Sequence, residues 1–134
     1  MFKHNRIISL VLLLSIVLIA SCHRKVIPNA DIPGNGTLHT ETGIASYYAD
    51  KFIGHVTASG EIYVSSKNTA AHKQLSFGTI VKVTNLTNNK SVLVKVNDRG
   101  PFAAGRIIDL SKSAAASIDM ITTGIVKVTI QYRK

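Results

Sequence analysis

The chain has 134 residues, a formal net charge of +9 at pH 7 and one cysteine, Cys22. That length holds one small domain, and a single cysteine excludes a disulfide framework, so packing has to hold the domain together. Sixteen lysines and arginines against seven acids would point a cytosolic domain toward nucleic acid, a partner that the opening segment excludes.

Met1–Arg6 is short and basic, and an apolar run follows from Ile7 to Ala20. The run has 14 residues, whereas a helix crossing the hydrocarbon core needs about 20. It fits the apolar region of a secretory signal. Ile19-Ala20-Ser21-Cys22 resembles a bacterial lipoprotein processing site, in which the cysteine is lipidated, the signal is cut before it and the new amino group is acylated. Residues 1–21 are therefore expected to be a signal peptide, with Cys22 lipidated and a membrane as partner through that lipid anchor. His23, rather than Asp, follows the cysteine, which by analogy with enteric bacteria favours the outer membrane, facing the periplasm. Export removes nucleic acid as a partner. Anionic headgroups or peptidoglycan carboxylates suit the remaining positive charge better.

Residues 22–42 carry Pro28, Pro33, Gly34 and Gly36 without apolar periodicity and read as a flexible tether, with the folded domain spanning 43–132. Within it, Ile44–Ala49 reads as a strand. Thr69–Lys73 reads as one helical turn. Thr79–Asn85 sets Val81 and Val83 against Lys82 and Thr84; Ser91–Asn97 sets Val92, Val94 and Val96 against Leu93 and Lys95. The stretch Thr87-Asn88-Asn89-Lys90 supplies the turn between these two. Ser111 can cap a short helix over Lys112–Ile118, and Ile125–Tyr132 alternates Val126, Val128 and Ile130 against Lys127, Thr129 and Gln131. A mainly β chain of short strands with one or two short helices predicts a small closed barrel, whose closure removes exposed sheet edges.

The acids of the domain are Asp50, Glu61, Asp98, Asp109 and Asp119, and three segments concentrate unusual polar residues: 57–61, 69–72 and 97–102. Each stands at a strand end or in a loop, where functional groups sit on rigid scaffolds. On spacing alone, Asp98 reads as a turn residue before Gly100-Pro101, Glu61 as an exposed loop carboxylate, and His72 as a half-buried histidine. Arg106 and Asp109 read as a structural pair tying the loop before the helix. The five histidines show no ligand spacing, and no HExxH string or Gly-x-Ser-x-Gly elbow occurs. No metal and no cofactor is expected.

Taken together, Gly43-x-Ala45-Ser46-Tyr47-Tyr48, Thr57-Ala58-Ser59-Gly60-Glu61, Thr69-Ala70-Ala71-His72-Lys73, Phe77-Gly78-Thr79, Val83-Thr84-Asn85-Leu86, Asn97-Asp98-Arg99-Gly100-Pro101-Phe102 and Gly105-Arg106-Ile107-Ile108-Asp109-Leu110-Ser111 resemble the rare lipoprotein A family of lytic transglycosylases. The resemblance runs from Gly43 to about Val128. It implies a six-stranded double-psi β-barrel, preceded here by the signal peptide and tether, and a lyase acting from within peptidoglycan glycan strands that lack stem peptides. It places the catalytic aspartate on Asp98, and the functionally important glutamate and histidine on Glu61 and His72. Tyr47 and Tyr48, where Trp-Tyr is more usual, are expected to stack on sugar, and Arg99 to contact the fold or a substrate carboxylate. Where the family often has an aspartate three residues after the glutamate, this chain has Val64. The family's separate domain for denuded glycan is not expected after the barrel.

The expected chemistry needs one carboxyl. The C6 hydroxyl of N-acetylmuramic acid attacks its own anomeric carbon and forms a 1,6-anhydro end, while Asp98 gives a proton to the leaving oxygen and takes one from the hydroxyl. A neighbouring carboxylate, with Glu61 as candidate, would tune Asp98, and His72 would orient it or bind sugar hydroxyls. The alternative is an expansin-like lipoprotein that binds glycan without cleaving it. Cell-division proteins are further expected partners.

Overall fold

Period-two alternation of β-branched residues becomes six strands in the computed structural model, which describes residues 32–134. The expected signal peptide, Cys22 and residues 22–31 of the expected tether lie outside the described residues. The strands are β1 (Leu38–Tyr47), β2 (Thr69–Ala71), β3 (Ile80–Asn85), β4 (Ser91–Asp98), β5 (Arg106–Leu110) and β6 (Val126–Arg133). One α-helix, α1 (Lys112–Ser117), stands between β5 and β6, and a 3-10 turn spans Asp50–Phe52. The sheet closes in the order β1-β5-β2-β4-β3-β6, the expected six-stranded barrel. β1 and β5 run parallel, as do β2 and β4, and the other pairs are antiparallel.

Inward-facing residues fill the barrel. Val81 and Val83 of β3, Val94 and Val96 of β4, Ile108 and Leu110 of β5, and Val128 and Ile130 of β6 are all essentially inaccessible. Each such side chain contributes about 1.5–3 kcal/mol by leaving water. Ala114 and Ala115 of α1, with Ile118 and Met120 beyond it, pack against the same core. The helix starts where expected: Ser111 Oγ accepts from the Ala114 N–H at 3.3 Å. That oxygen also takes the N–H of Thr69, so the cap is sewn to β2. Buried Asn85, at the end of β3, donates to the Ile118 carbonyl at 2.9 Å and accepts from the Thr87 N–H, fixing the helix C-terminus against the β3–β4 turn.

Three expectations change. Thr69–Ala71 is a strand, because its backbone completes the ladders of β4 and β5 on either side, and this overrides the helical preference of alanine. Arg106–Leu110 is a strand and not a loop. Its alternation is masked in sequence by Ile107, which lies half-buried against Gly43 instead of in the barrel interior. β1 starts at Leu38, inside the stretch read as tether. His39, Thr40, Glu41 and Thr42 carry no apolar signal, yet they pair in register with Tyr132, Gln131, Ile130 and Thr129. Ahead of β1, Arg133 donates to the carbonyls of Ile32 and Gly36.

Gly43 admits a close approach. A Cβ there would stand 2.6 Å from Ile107 Cγ2. Gly43→Ala should therefore cost about 1–3 kcal/mol by overpacking, measured by denaturant unfolding. Adding Ile107→Ala should cost less than the two single losses together, because the clash partner is gone.

Candidate active site

Asp98 is the last residue of β4, beside the end of β2. The β2–β4 register slips between Ala70 and Ala71, bringing Ala71 opposite Asp98. An irregularity of this kind re-aims a side chain at a barrel rim. The Asp98 carboxylate is held by three donors. Oδ1 accepts the backbone N–H of Ala58 and of Arg99, both at 2.8 Å, and Oδ2 accepts the Tyr48 hydroxyl at 2.6 Å.

Tyr48 follows β1 directly, and its own N–H is tied to the Leu110 carbonyl. Burial, then the hydrogen bond to Asp98, pushes its phenol far above the ordinary range, so the hydroxyl stays a donor. Its ring packs on Tyr63 at 4.8 Å between centroids and edge-on to Phe52 at 6.0 Å. Tyr48 thus orients Asp98. Tyr47 points elsewhere: its hydroxyl donates to the Ile121 carbonyl at 3.0 Å, and its ring packs against the core. The expected tyrosine pair is split by strand alternation, with one member at the site.

The segment from Thr57 to Glu61 folds over the end of β4. Gly60, at φ +88°, permits a turn closed by its N–H on the Thr57 carbonyl. The Ser59 N–H reaches the Asn97 carbonyl, and this seating delivers the Ala58 N–H to Asp98. Glu61 is not hydrogen-bonded to Asp98 among the described residues. Its carboxylate accepts from Lys95 at 2.9 Å and from Asn97 at 3.2 Å. These two bonds, Lys95 first, hold it below the usual carboxylate range. The expected carboxylate neighbour of Asp98 is instead an anion paired with Lys95 and with Asn97, the residue before Asp98. Val64 is half-buried, and its carbonyl closes a turn by accepting the Lys67 N–H.

His72 follows β2 and is 6% exposed. Its side chain does not hydrogen-bond Asp98, whereas its backbone N–H donates to the Asp98 carbonyl at 3.1 Å. Nδ1 accepts from the N–H groups of Gln74 and Leu75. Arg99 turns back on the same loop. Its Nη1 donates to the carbonyls of His72 and Leu75, and its guanidinium lies 4.1 Å from the Phe77 ring centroid. Arg106 and Asp109 do pair, at 2.8 and 2.9 Å, but within β5, where Ser46 also donates to Asp109.

Sequence reasoning missed Tyr63 and the Ala58 amide. Tyr63 is buried, packs under Tyr48 and accepts from the Lys112 N–H. Its place in the segment Ile62-Tyr63-Val64 was the only available signal. Backbone donors have no signature of their own. Among the described residues no cluster of histidine, cysteine and acidic side chains could hold a metal ion.

Burial pushes the His72 imidazole below its ordinary value of 6.5; Arg99, Lys134 and Lys73 add to this, and Glu41 opposes it. The unfolded chain thus takes up the proton first on acidification. The stabilisation is complete above 6.5 and is lost as the pH falls from there through the folded value. Glu61 behaves likewise, but only below 4.5. Thermal unfolding from about pH 7.5 to about pH 5 should show Tm falling in wild type and flattening in His72→Asn, whose amide oxygen accepts without titrating.

Compared with known proteins, residues 40–130 match the family model described as lytic transglycolase. The probable endolytic peptidoglycan transglycosylase RlpA of Treponema pallidum is 53% identical over 95 residues, 71% of this chain and 30% of that one. The endolytic peptidoglycan transglycosylase RlpA of Campylobacter jejuni is 55% identical over 92 residues, 69% of this chain and 34% of that one. The chain spans about a third of the length of the curated relatives it matches. Among solved structures, the Streptomyces papain inhibitor superposes with a TM-score of 0.59 at 25% identity, covering 78% of this chain and 100% of that one. An expansin of Clavibacter michiganensis superposes with a TM-score of 0.57 at 20% identity, covering 72% of this chain and 51% of that one, a likeness of fold. The architecture is the double-psi β-barrel expected.

Proposed function

Because the chain belongs to the lytic transglycolase family, we propose that it cleaves peptidoglycan glycan strands from within, as a lytic transglycosylase, with Asp98 as the general acid and base. The observation that carries this is the Asp98 carboxylate at the rim of the barrel, gripped by Ala58, Arg99 and Tyr48. Oδ1 has both lone-pair positions filled by backbone donors. Oδ2 has one donor, Tyr48, and keeps a lone pair for exchanging a proton with substrate.

In this reaction the C6 hydroxyl oxygen of N-acetylmuramic acid bonds to its own C1, and the bond from C1 to the glycosidic oxygen breaks. Asp98 Oδ2 delivers a proton to the leaving oxygen and receives the one released by the hydroxyl, so the carboxyl returns to its starting state and no water is consumed. A rigid carboxyl suits this, because one group has to reach both oxygens in turn. Tyr48 holds it in place and Arg99 shapes the adjoining loop. Denuded strands are the substrate proposed. The paired Glu61 would engage sugar or amide groups at the rim. Lipidation at Cys22 would hold the barrel at the outer membrane, facing the periplasm.

Val64, an apolar residue where the family often carries an aspartate, favours a second reading, a barrel that binds glycan and does not cut it. Product chemistry separates the two. Amidase-treated sacculi incubated with the protein should release 1,6-anhydro-ended fragments, seen by mass spectrometry. Asp98→Asn should lower that release by about 10²–10⁴-fold while circular dichroism stays native. Undiminished product from the folded variant would remove Asp98 from the reaction, and binding with no anhydro product from wild type would establish the second reading. Tyr48→Phe keeps the ring packing and loses the donor to Oδ2. Its turnover should fall, with glycan binding nearly unchanged, in the same assay run at varied substrate.

A further inference from the structure

His72, buried beside the site, is used in an unexpected way. Nδ1 accepts two backbone N–H groups, from Gln74 and Leu75, each at 3.1 Å. A nitrogen that accepts carries no proton, so the neutral ring keeps its hydrogen on Nε2. The residue's backbone closes a circuit with Asp98. Its N–H donates to the Asp98 carbonyl at 3.1 Å, and its carbonyl accepts from Arg99 Nη1 at 3.2 Å. The same Nη1 donates to the Leu75 carbonyl at 2.9 Å, and the Arg99 N–H donates to Asp98 Oδ1 at 2.8 Å. The circuit therefore runs from Asp98 through His72, its turn and Arg99 back to the carboxylate. Without the Nδ1 acceptor, the Gln74 amide and the buried Leu75 amide lose their partner, and the turn that presents both carbonyls to Arg99 is held by Nη1 alone.

We propose that His72 is a positioning residue whose unprotonated Nδ1 folds the 72–75 turn against Arg99 and thereby fixes the Asp98 carboxylate, with no proton exchanged between the imidazole and substrate. This rests on the reading of Asp98 as the proton-transfer group.

Side-chain geometry supplies the test. Asparagine places its amide oxygen where Nδ1 stands, and glutamine places its oxygen nearer the position of Nε2. In the full chain, His72→Ala and His72→Gln should lose turnover by about 10²-fold, the cost of a misplaced catalytic group, with KM little changed. His72→Asn should recover most of it. Hydrogen exchange at the Gln74 and Leu75 amides should be slow in wild type and His72→Asn and fast in the other two. The proposal is overturned if His72→Gln is active and His72→Asn is not, or if His72→Asn protects both amides yet stays as inactive as His72→Ala. Nitrogen-15 NMR of wild type needs no variant: Nδ1 should show the shift of an unprotonated acceptor, and a protonated Nδ1 would sink the idea. A wild type that releases no anhydro product would defeat the reading of Asp98 alone. The amide exchange and the NMR signals of Ala58 and Arg99, compared between His72→Asn and His72→Ala, would still report whether His72 sets the turn and the carboxylate's donors.

Discussion

Closure of the barrel rests on β2, a strand of three residues wedged between β4 on one side and β5 on the other. Ala70 and Ala71 are small and wholly buried there, so the sheet can curve tightly around them. Both ends of this short strand are tied to other elements. At its start, Thr69 exchanges hydrogen bonds with Ser111, which caps α1 and carries the helix over the core. At its end, the chain runs into His72 and meets Asp98. The site is thus built from the barrel's own joint, where a strand end cannot drift without opening the sheet.

The polar rim divides its labour. Asp98 is oriented through both oxygens, Tyr48 by a hydroxyl that keeps its proton, and Arg99 by holding a loop. Glu61 is anchored to Lys95 and Asn97, alternate residues of β4, and so shares the strand that carries Asp98 without touching it. Exposed ion pairs of this kind add little to stability. The bonds to Lys95 and Asn97 fix where the Glu61 charge sits relative to β4.

The antiparallel strands were legible because Val81, Val83, Val128 and Ile130 alternate cleanly with polar residues, each strand having one face on the core. β2 and β5 were not. One is three residues long, and Ile107 interrupts the alternation of the other by packing on Gly43. The start of β1 was hidden because its outer residues are polar on both faces and owe their conformation to β6. Asp98, Glu61 and His72 were legible as loop residues in a specific order. What each one touches was not, because their partners are backbone amides or residues far apart in sequence, such as Tyr48 with Asp98.

The clasp of Arg133 on Ile32 and Gly36, with Thr37 and Lys134 exchanging backbone hydrogen bonds, sets the first described residues beside the last. Tension arriving along the chain from its N-terminal side would therefore reach this clasp before any core strand. Two guanidinium bonds and the first rungs of the β1–β6 ladder would bear the load, while the rim that carries Asp98 is braced separately, through β2, β4 and the loop at His72. The chain can be pulled at that one seam while the rim that carries Asp98 keeps its shape.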